Sequence, residues 1–502
     1  MGRSKKALLC VLSQFIYLVV ATICGFIIPR LILTTFGSTY NGVIASATKF
    51  FDVISVLIIG LAGATRVALY PKLAENDILG ISQIVKASSD YMKKVGFVVA
   101  AYSIVVMIAF PMISNSSLLW YESVVIVAIV GLASFIQYYF GVTYFTLLEA
   151  DQRQFVVSLV RIFVALLNAL SVYYLIRFCN VFIVKLVSTL VYAITPCFIN
   201  LYAKKHYGLI SECSGNTTFL SQRKAVAFHS IANIVHDQVD VFVLTIFQDA
   251  KIVSVYSIYN LVVAGLHSME KIFTNGLEAG FANLWAKKEI EKFKYYFSLY
   301  ETLIFTYAAI VFTSCFLLFI PFISLYTKNV CDTNYILPTY AAILVVAEII
   351  YCIRMPYKTL VQAIGDYEQT KFGALGEAII NLVISILAVK TYGLIGVAVG
   401  TLIANLFRSA QYAFYCYKNI INKKLYSFFY KLLGLVLLMF AMLKTNSFIF
   451  PNLIVDCWGD WIYEALEIFI VCCIMAFSMV GLFYRADFIR IFAMFYKKKN
   501  SK

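Results

Sequence analysis

Residues 228–247 read FHSIANIVHDQVDVFVLTIF. The stretch is long enough to cross a bilayer, yet it carries His229, Asn233, His236, Asp237 and Asp240. Offsets of four, seven and eleven from His229 set Asn233, His236 and Asp240 along one helical face, and Val239, Phe242, Val243 and Ile246 fill the rest. Lipid does not solvate ionisable groups, so that face must look into protein or a wet cavity. It acts there either as glue between helices or as part of a transport path. The stretch also falls near the midpoint of the chain, where a second half begins.

Working outward, the whole chain has the same apolar character. Of its 502 residues, 62% are hydrophobic and 13% charged, against about a quarter charged in soluble domains. Apolar runs of bilayer length recur from end to end, which predicts an all-α integral membrane protein with no soluble domain left over for chemistry. The first run, from about Ala7 to Leu33, is too long for the core of a cleavable signal peptide and reads as a retained span. Twelve cysteines include no CxxC pair and no zinc-like His/Cys spacing, and read as small apolar filler.

Fourteen candidate spans follow, near 7–33, 41–70, 95–113, 118–149, 155–176, 180–203, 225–247, 252–285, 297–326, 335–363, 371–389, 393–417, 432–450 and 461–484. With the N-terminus inside, the cytoplasmic loops and tails carry 27 Lys and Arg. The outer loops carry five: Arg177, Lys251, Lys328, Lys390 and Lys444. The positive-inside rule then sets both termini in the cytoplasm. The same asymmetry accounts for most of the net charge of +15, so the charge is no sign of a nucleic-acid partner.

Nine bases remain within spans: Arg30, Lys49, Arg66, Arg161, Lys185, Lys271, Arg354, Lys358 and Arg408. Arg66 and Lys358 lie close enough to a cytoplasmic end to snorkel. Arg161, Arg354 and Arg408 lie deeper, toward the cytoplasmic half. A planar fork of donors suits phosphate oxygens, so such a group of arginines fits a diphosphate-linked cargo loaded from the cytoplasm. Arg66, Arg161, Arg354, Lys358 and Arg408 are therefore the candidate substrate-binding residues.

The chain also repeats. At an offset of 213, Tyr144, Thr146, Leu147, Ala150, Ala165 and Asn168 match Tyr357, Thr359, Leu360, Ala363, Ala378 and Asn381. At an offset of 211, Leu33, Thr34 and Phe36 match Leu244, Thr245 and Phe247. Six spans separate the partners, an even number, so both copies share one orientation. The expected domains are a six-helix bundle over 1–206, a cytoplasmic linker over 207–224, a second six-helix bundle over 225–424, and two further helices with a basic tail over 425–502. Glycines at Gly393, Gly396 and Gly400, and at Gly276 and Gly280, offer faces for close helix packing.

The 6 + 6 + 2 plan, the polar seventh helix followed by QDAKIVSVYSIYNLV, and YGLIGVAVGTLIAN ending in Arg408 resemble the polysaccharide-transport branch of the multidrug/oligosaccharidyl-lipid/polysaccharide (MOP) flippase superfamily. The resemblance covers nearly the whole chain, on loose motifs. It implies two pseudosymmetric bundles in a V shape in the bacterial cytoplasmic membrane. The implied activity is to move undecaprenyl-diphosphate-linked oligosaccharide units, of O-antigen, capsule or a related glycan, from the inner to the outer leaflet. It also implies membrane lipid as surroundings, and the polymerase and other polysaccharide-assembly proteins as partners. A flippase of lipid-linked peptidoglycan precursor shares the fold, and its sodium site is implied at Asp240 or Asp237, Asn381 and Thr401. Ser385 stands where that site has an acid, with Glu377, four residues before Asn381, as a candidate substitute. Sodium coupling and proton coupling through Asp240 and His236 both stay open.

No phosphate loop of the GxxxxGK[ST] kind is present, and nothing in the pattern breaks a covalent bond. The longest outer loop, about Lys444 to Asp460, is short for a membrane glycosyltransferase or polymerase. A multidrug/cation antiporter and a flippase of lipid-linked peptidoglycan precursor are the other readings of this architecture, and the antiporter would want acids rather than arginines to dominate its cavity. Tyr138, Tyr139, Tyr144 and Tyr357 are candidate sugar-stacking faces.

Overall fold

The computed structural model describes residues 3–210, 215, 238–451 and 455–483. Among these there is no strand; one isolated bridge joins Asn115 and Asp249. The first helices are α1 (Arg3–Phe36), α2 (Ser38–Asp52), α3 (Val56–Glu75), α4 (Ile78–Ile113), α5 (Trp120–Ile136), α6 (Val142–Ala150), α7 (Gln154–Leu175) and α8 (Val181–Tyr207). They are followed by α9 (Gln238–Phe247), α10 (Ala250–Ala286), α11 (Ile290–Tyr326), α12 (Pro338–Ile353), α13 (Met355–Ile364), α14 (Tyr367–Tyr415), α15 (Tyr426–Ile449) and α16 (Trp458–Phe483). Eleven helical stretches among the described residues are long and apolar enough to cross a membrane. Their outer faces stay apolar, as with Phe97, Ile104, Ile108 and Met112 of α4, all more than half exposed. Water would not tolerate so much bare hydrocarbon, and this is a multi-pass membrane protein.

One expected span is drawn differently. The stretch 41–70 is not one rod: α2 ends at Asp52, a 3₁₀ turn covers Val53–Ser55, and α3 begins at Val56. The spans expected at 371–389 and 393–417 are the two arms of α14, parted by a kink at Gly393, whose φ of 54° and ψ of −128° are open to glycine alone at low cost. Beyond that break the two arms pack closely, since a methyl on Gly396 would lie 2.5 Å from the Ala388 carbonyl oxygen. We expect Gly396→Ala to cost about 1–3 kcal/mol by overpacking, read as a lower melting temperature in detergent. Gly280→Ala, with nothing within 4 Å of the added carbon, should lose nothing.

Pro356 divides α12 from α13. It has no N–H to offer the Cys352 carbonyl, and the helix restarts with Tyr357 and Lys358 donating to the Arg354 carbonyl at 3.1 and 3.0 Å. Arg354 therefore sits at the break itself. Asp77 caps α4 through the Gly80 N–H at 2.9 Å, and this bond holds its carboxyl below the usual carboxylate range.

Contacts divide the chain into two compact units. One comprises the described residues through Ser257 together with Asn329–Thr333; the other comprises Ile258–Lys328 and the described residues from Asn334 onward. Residues 238–257, assigned from sequence to the second bundle, count with the first unit. There Thr245 donates to Ser46 Oγ at 2.8 Å, and the Phe242 and Phe50 rings lie 4.2 Å apart. Loop residue Asp332 joins this unit by accepting from the Ser38 N–H and hydroxyl at 2.7 and 2.5 Å. Its core sets Val43, Ala47 and Phe51 of α2 against Val99 and Phe110 of α4 and Val127 of α5. In the second unit α11 is the central helix, packed by α12, α15 and α16, while α12 packs on α14.

Candidate functional site

The second unit holds a run of ionisable side chains drawn from α10, α12 and α14. Arg354, at the Pro356 break, donates from Nη1 to Glu377 Oε1 at 2.5 Å, both side chains being 6% exposed. Arg408 approaches the other oxygen of the same carboxylate, Nε to Oε2 at 3.6 Å. Its remaining donors go to the Thr370 carbonyl at 2.7 Å, Gln411 Oε1 at 2.5 Å and the Tyr412 hydroxyl at 2.8 Å. Two guanidinium groups thus share one carboxylate, and the group carries an excess of positive charge. Glu377 and Arg408 come from opposite arms of α14, so the Gly393 break is what lets one helix supply both.

Aromatic rings extend the run. Arg354 lies over the Tyr351 ring at 4.3 Å, and His267 stacks on that ring at 4.5 Å and 26°. His267 Nε2 lies 2.6 Å from Glu348 Oε2. Arg408 covers Tyr412 at 4.1 Å. Such stacking suits arginine, whose flat cation is weakly hydrated.

The other candidates are dispersed. In the first unit, Arg66 of α3 pairs with Glu149 of α6 at 2.8 Å. Arg161 of α7 lies 4.7 Å from the Phe145 ring and 5.7 Å from the Tyr17 ring. No carboxylate is within ion-pair distance of it among the described residues. Asp240, also in the first unit, accepts from the Tyr256 hydroxyl at 3.5 Å. His236 and Asp237 lie outside the described residues. Lys358 is half-buried on α13. Tyr357 offers no face to a sugar: it is 1% exposed, is packed among Phe297, Tyr417 and Phe428, and donates to Glu301.

Asn381 and Thr401 do come together. Asn381 Oδ1 accepts from Ser385 Oγ at 3.1 Å and from Thr401 Oγ1 at 3.4 Å. Glu377, the candidate substitute for the missing acid, is held by Arg354. The three oxygens therefore form a neutral set with hydroxyls already turned on the one carbonyl, a poor fit to a cation that needs charge and several free oxygens.

Glu301, Lys431, His267, Glu270 and Glu348 were not singled out from the sequence. The rule that marks Asp240 applies to His267, Glu270 and Glu348, each ionisable and well inside an apolar run, whereas Glu301 and Lys431 sit at or beyond the ends of theirs.

The arrangement of these helices is similar to that of several solved membrane transporters. At the level of sequence, no family model matches the chain, and no curated protein matches it either. Among solved structures it is similar to the lipid II flippase MurJ in an inward closed conformation. The TM-score is 0.71 at 14% identity, over 95% of this chain and 99% of that one. It is also similar to an inward-facing multidrug resistance transporter of the MATE family, with a TM-score of 0.58 at 14% identity, over 85% of this chain and 96% of the other. A MOP superfamily transporter from Pyrococcus furiosus, described as having a binding pocket of reversed polarity, gives a TM-score of 0.52 at 16% identity, over 84% and 95%.

Proposed function

We propose that this protein is a flippase of the bacterial cytoplasmic membrane, with fourteen crossings and both termini inside, that moves a polyprenyl-diphosphate-linked oligosaccharide from the inner to the outer leaflet by alternating access. The observation that carries this reading is the pair of buried guanidinium groups, Arg354 and Arg408, on the single carboxylate of Glu377. A diphosphate offers more negative charge than Glu377 and the same fork geometry, so it competes for these donors while the lipid tail stays in the bilayer. Arg161, with no carboxylate partner among the described residues, is a further anion contact, and Arg66 and Lys358 complete the candidate set. The likeness to a lipid II flippase over 95% of the chain supports a lipid-linked cargo.

A drug or cation antiporter is the second reading, favoured by the likeness to MATE transporters and by the buried acids of α10 and α12. The experiment that separates them is complementation. A flippase-deficient strain should regain surface glycan with this protein and stop accumulating inner-leaflet lipid-linked glycan, and the donor should co-purify and be identifiable by mass spectrometry. Drug resistance without restored glycan would overturn the flippase reading. Arg161→Ala should lower export by about tenfold or more, the loss of a charged hydrogen bond worth about 1.5–3 kcal/mol. Unchanged export would remove Arg161 from the anion path.

A further inference from the structure

Glu270 lies on α10, one turn beyond His267, and is 2% exposed. No N–H or O–H donor reaches either carboxylate oxygen among the described residues; the polar group beside it is the Cys352 thiol of α12. The charges that act on it are those of Glu348, which repels a negative charge, and of His267 and Arg354, which attract one. The Tyr300 and Tyr307 phenols of α11 lie within electrostatic reach of it. An ionised carboxylate so placed has lost its hydration with no hydrogen bonds to replace it, whereas a neutral acid keeps most of its solvation energy. His267 is the more exposed member of the pair, its side chain 29% exposed while that of Glu348 is 8% exposed.

We propose that Glu270 is a proton-binding site of the transport cycle, taking its proton from water by way of the His267–Glu348 pair and returning it by the same route. Binding turns one carboxylate and one hydronium ion into a carboxylic acid and water, and nothing else changes. A metal cation is the poorer occupant, because it asks for several ligands at once and no group of three or more His, Cys, Asp or Glu side chains placed to hold one is present among the described residues; a proton needs a single oxygen. The site is distinct from the Asn381, Ser385 and Thr401 set. Its role in transport rests on the flippase reading above, but its titration does not.

The test has two arms, both on the full chain. In the first, purified protein in lipid nanodiscs is titrated with no cargo present, and the infrared band of protonated carboxyl groups is followed. A titrating component lost in Glu270→Gln and kept, at a shifted frequency, in Glu270→Asp is the expected result. Spectra of Glu270→Gln that superimpose on wild type overturn the proposal. In the second, proteoliposomes flip an undecaprenyl-diphosphate-linked disaccharide with and without an imposed pH gradient. The gradient should change the wild-type rate by about fivefold or more, and the ratio should fall to about one in Glu270→Gln. An equal ratio in both proteins overturns the coupling role. A probe that is not flipped, alongside a Glu270-dependent band, supports the proton site and counts against the cargo reading.

Discussion

Glu377→Ala should destabilise the protein by about 3–5 kcal/mol, the cost of breaking a buried ion pair from one side. Two guanidinium groups, on Arg354 and Arg408, depend on that carboxylate, and both side chains are no more than 6% exposed. Without it they face each other in a medium that screens charge poorly. Glu377→Gln should cost less, because the amide oxygen still accepts a hydrogen bond while the charge is gone; about 1.5–3 kcal/mol is expected. Stability alone cannot separate scaffold from cargo site, but the double variant Arg354→Met with Glu377→Leu can. Replacing both members of a buried pair by apolar groups is often neutral, and Arg408 would keep Thr370, Gln411 and Tyr412. The melting temperature in detergent should therefore return close to wild type, while export stays lost because half of the phosphate fork is missing. Export at the wild-type rate in the double variant would show that Arg354 serves the fold and not the cargo.

The helical, membrane-spanning character was legible because it depends on local composition: an apolar run of bilayer length has few alternatives. The turn at Gly393 was legible as a gap between two expected spans, although the helix resumes across it with one residue out of line. What was not legible is pairing. Arg354, Arg408 and Glu377 were each recognisable as ionisable groups in a span, and Glu377 was read as a cation ligand while the two arginines were read as free for phosphate. Which group meets which is decided by how α12 lies against the two arms of α14, at separations of 23 and 31 residues. Tyr357 shows the same limit: its match to Tyr144 in the repeat says nothing of the Glu301 carboxylate that holds its hydroxyl. The acids of α10 and α12 were a different case, since the same rule applied to them and they were passed over.

Glu301→Ala is the second large effect, and it concerns α15 and α16, which read in sequence as an appendage. In the structure they pack on α11, and the joint is a buried ion pair. Lys431 of α15 donates to Glu301 Oε2 at 2.6 Å, and the Tyr417 hydroxyl donates to Oε1 at 2.8 Å, with Tyr357 donating to the same oxygen. Glu301 is 2% and Lys431 11% exposed. Removing the carboxylate strands an ammonium and two phenols, and about 3–5 kcal/mol should be lost. Lys431→Met should cost less, about 1–3 kcal/mol, because Glu301 keeps both phenol donors and loses one charged partner. The order of the two variants is the discriminating result: equal losses would mean that the tyrosines contribute nothing and the pair acts alone. Hydrogen exchange locates the effect. In Glu301→Ala the amides of α15, Tyr426–Ile449, should exchange faster while those of α12, Pro338–Ile353, stay protected, because the carboxylate bonds to Lys431, Tyr417 and Tyr357 and has no bond into α12.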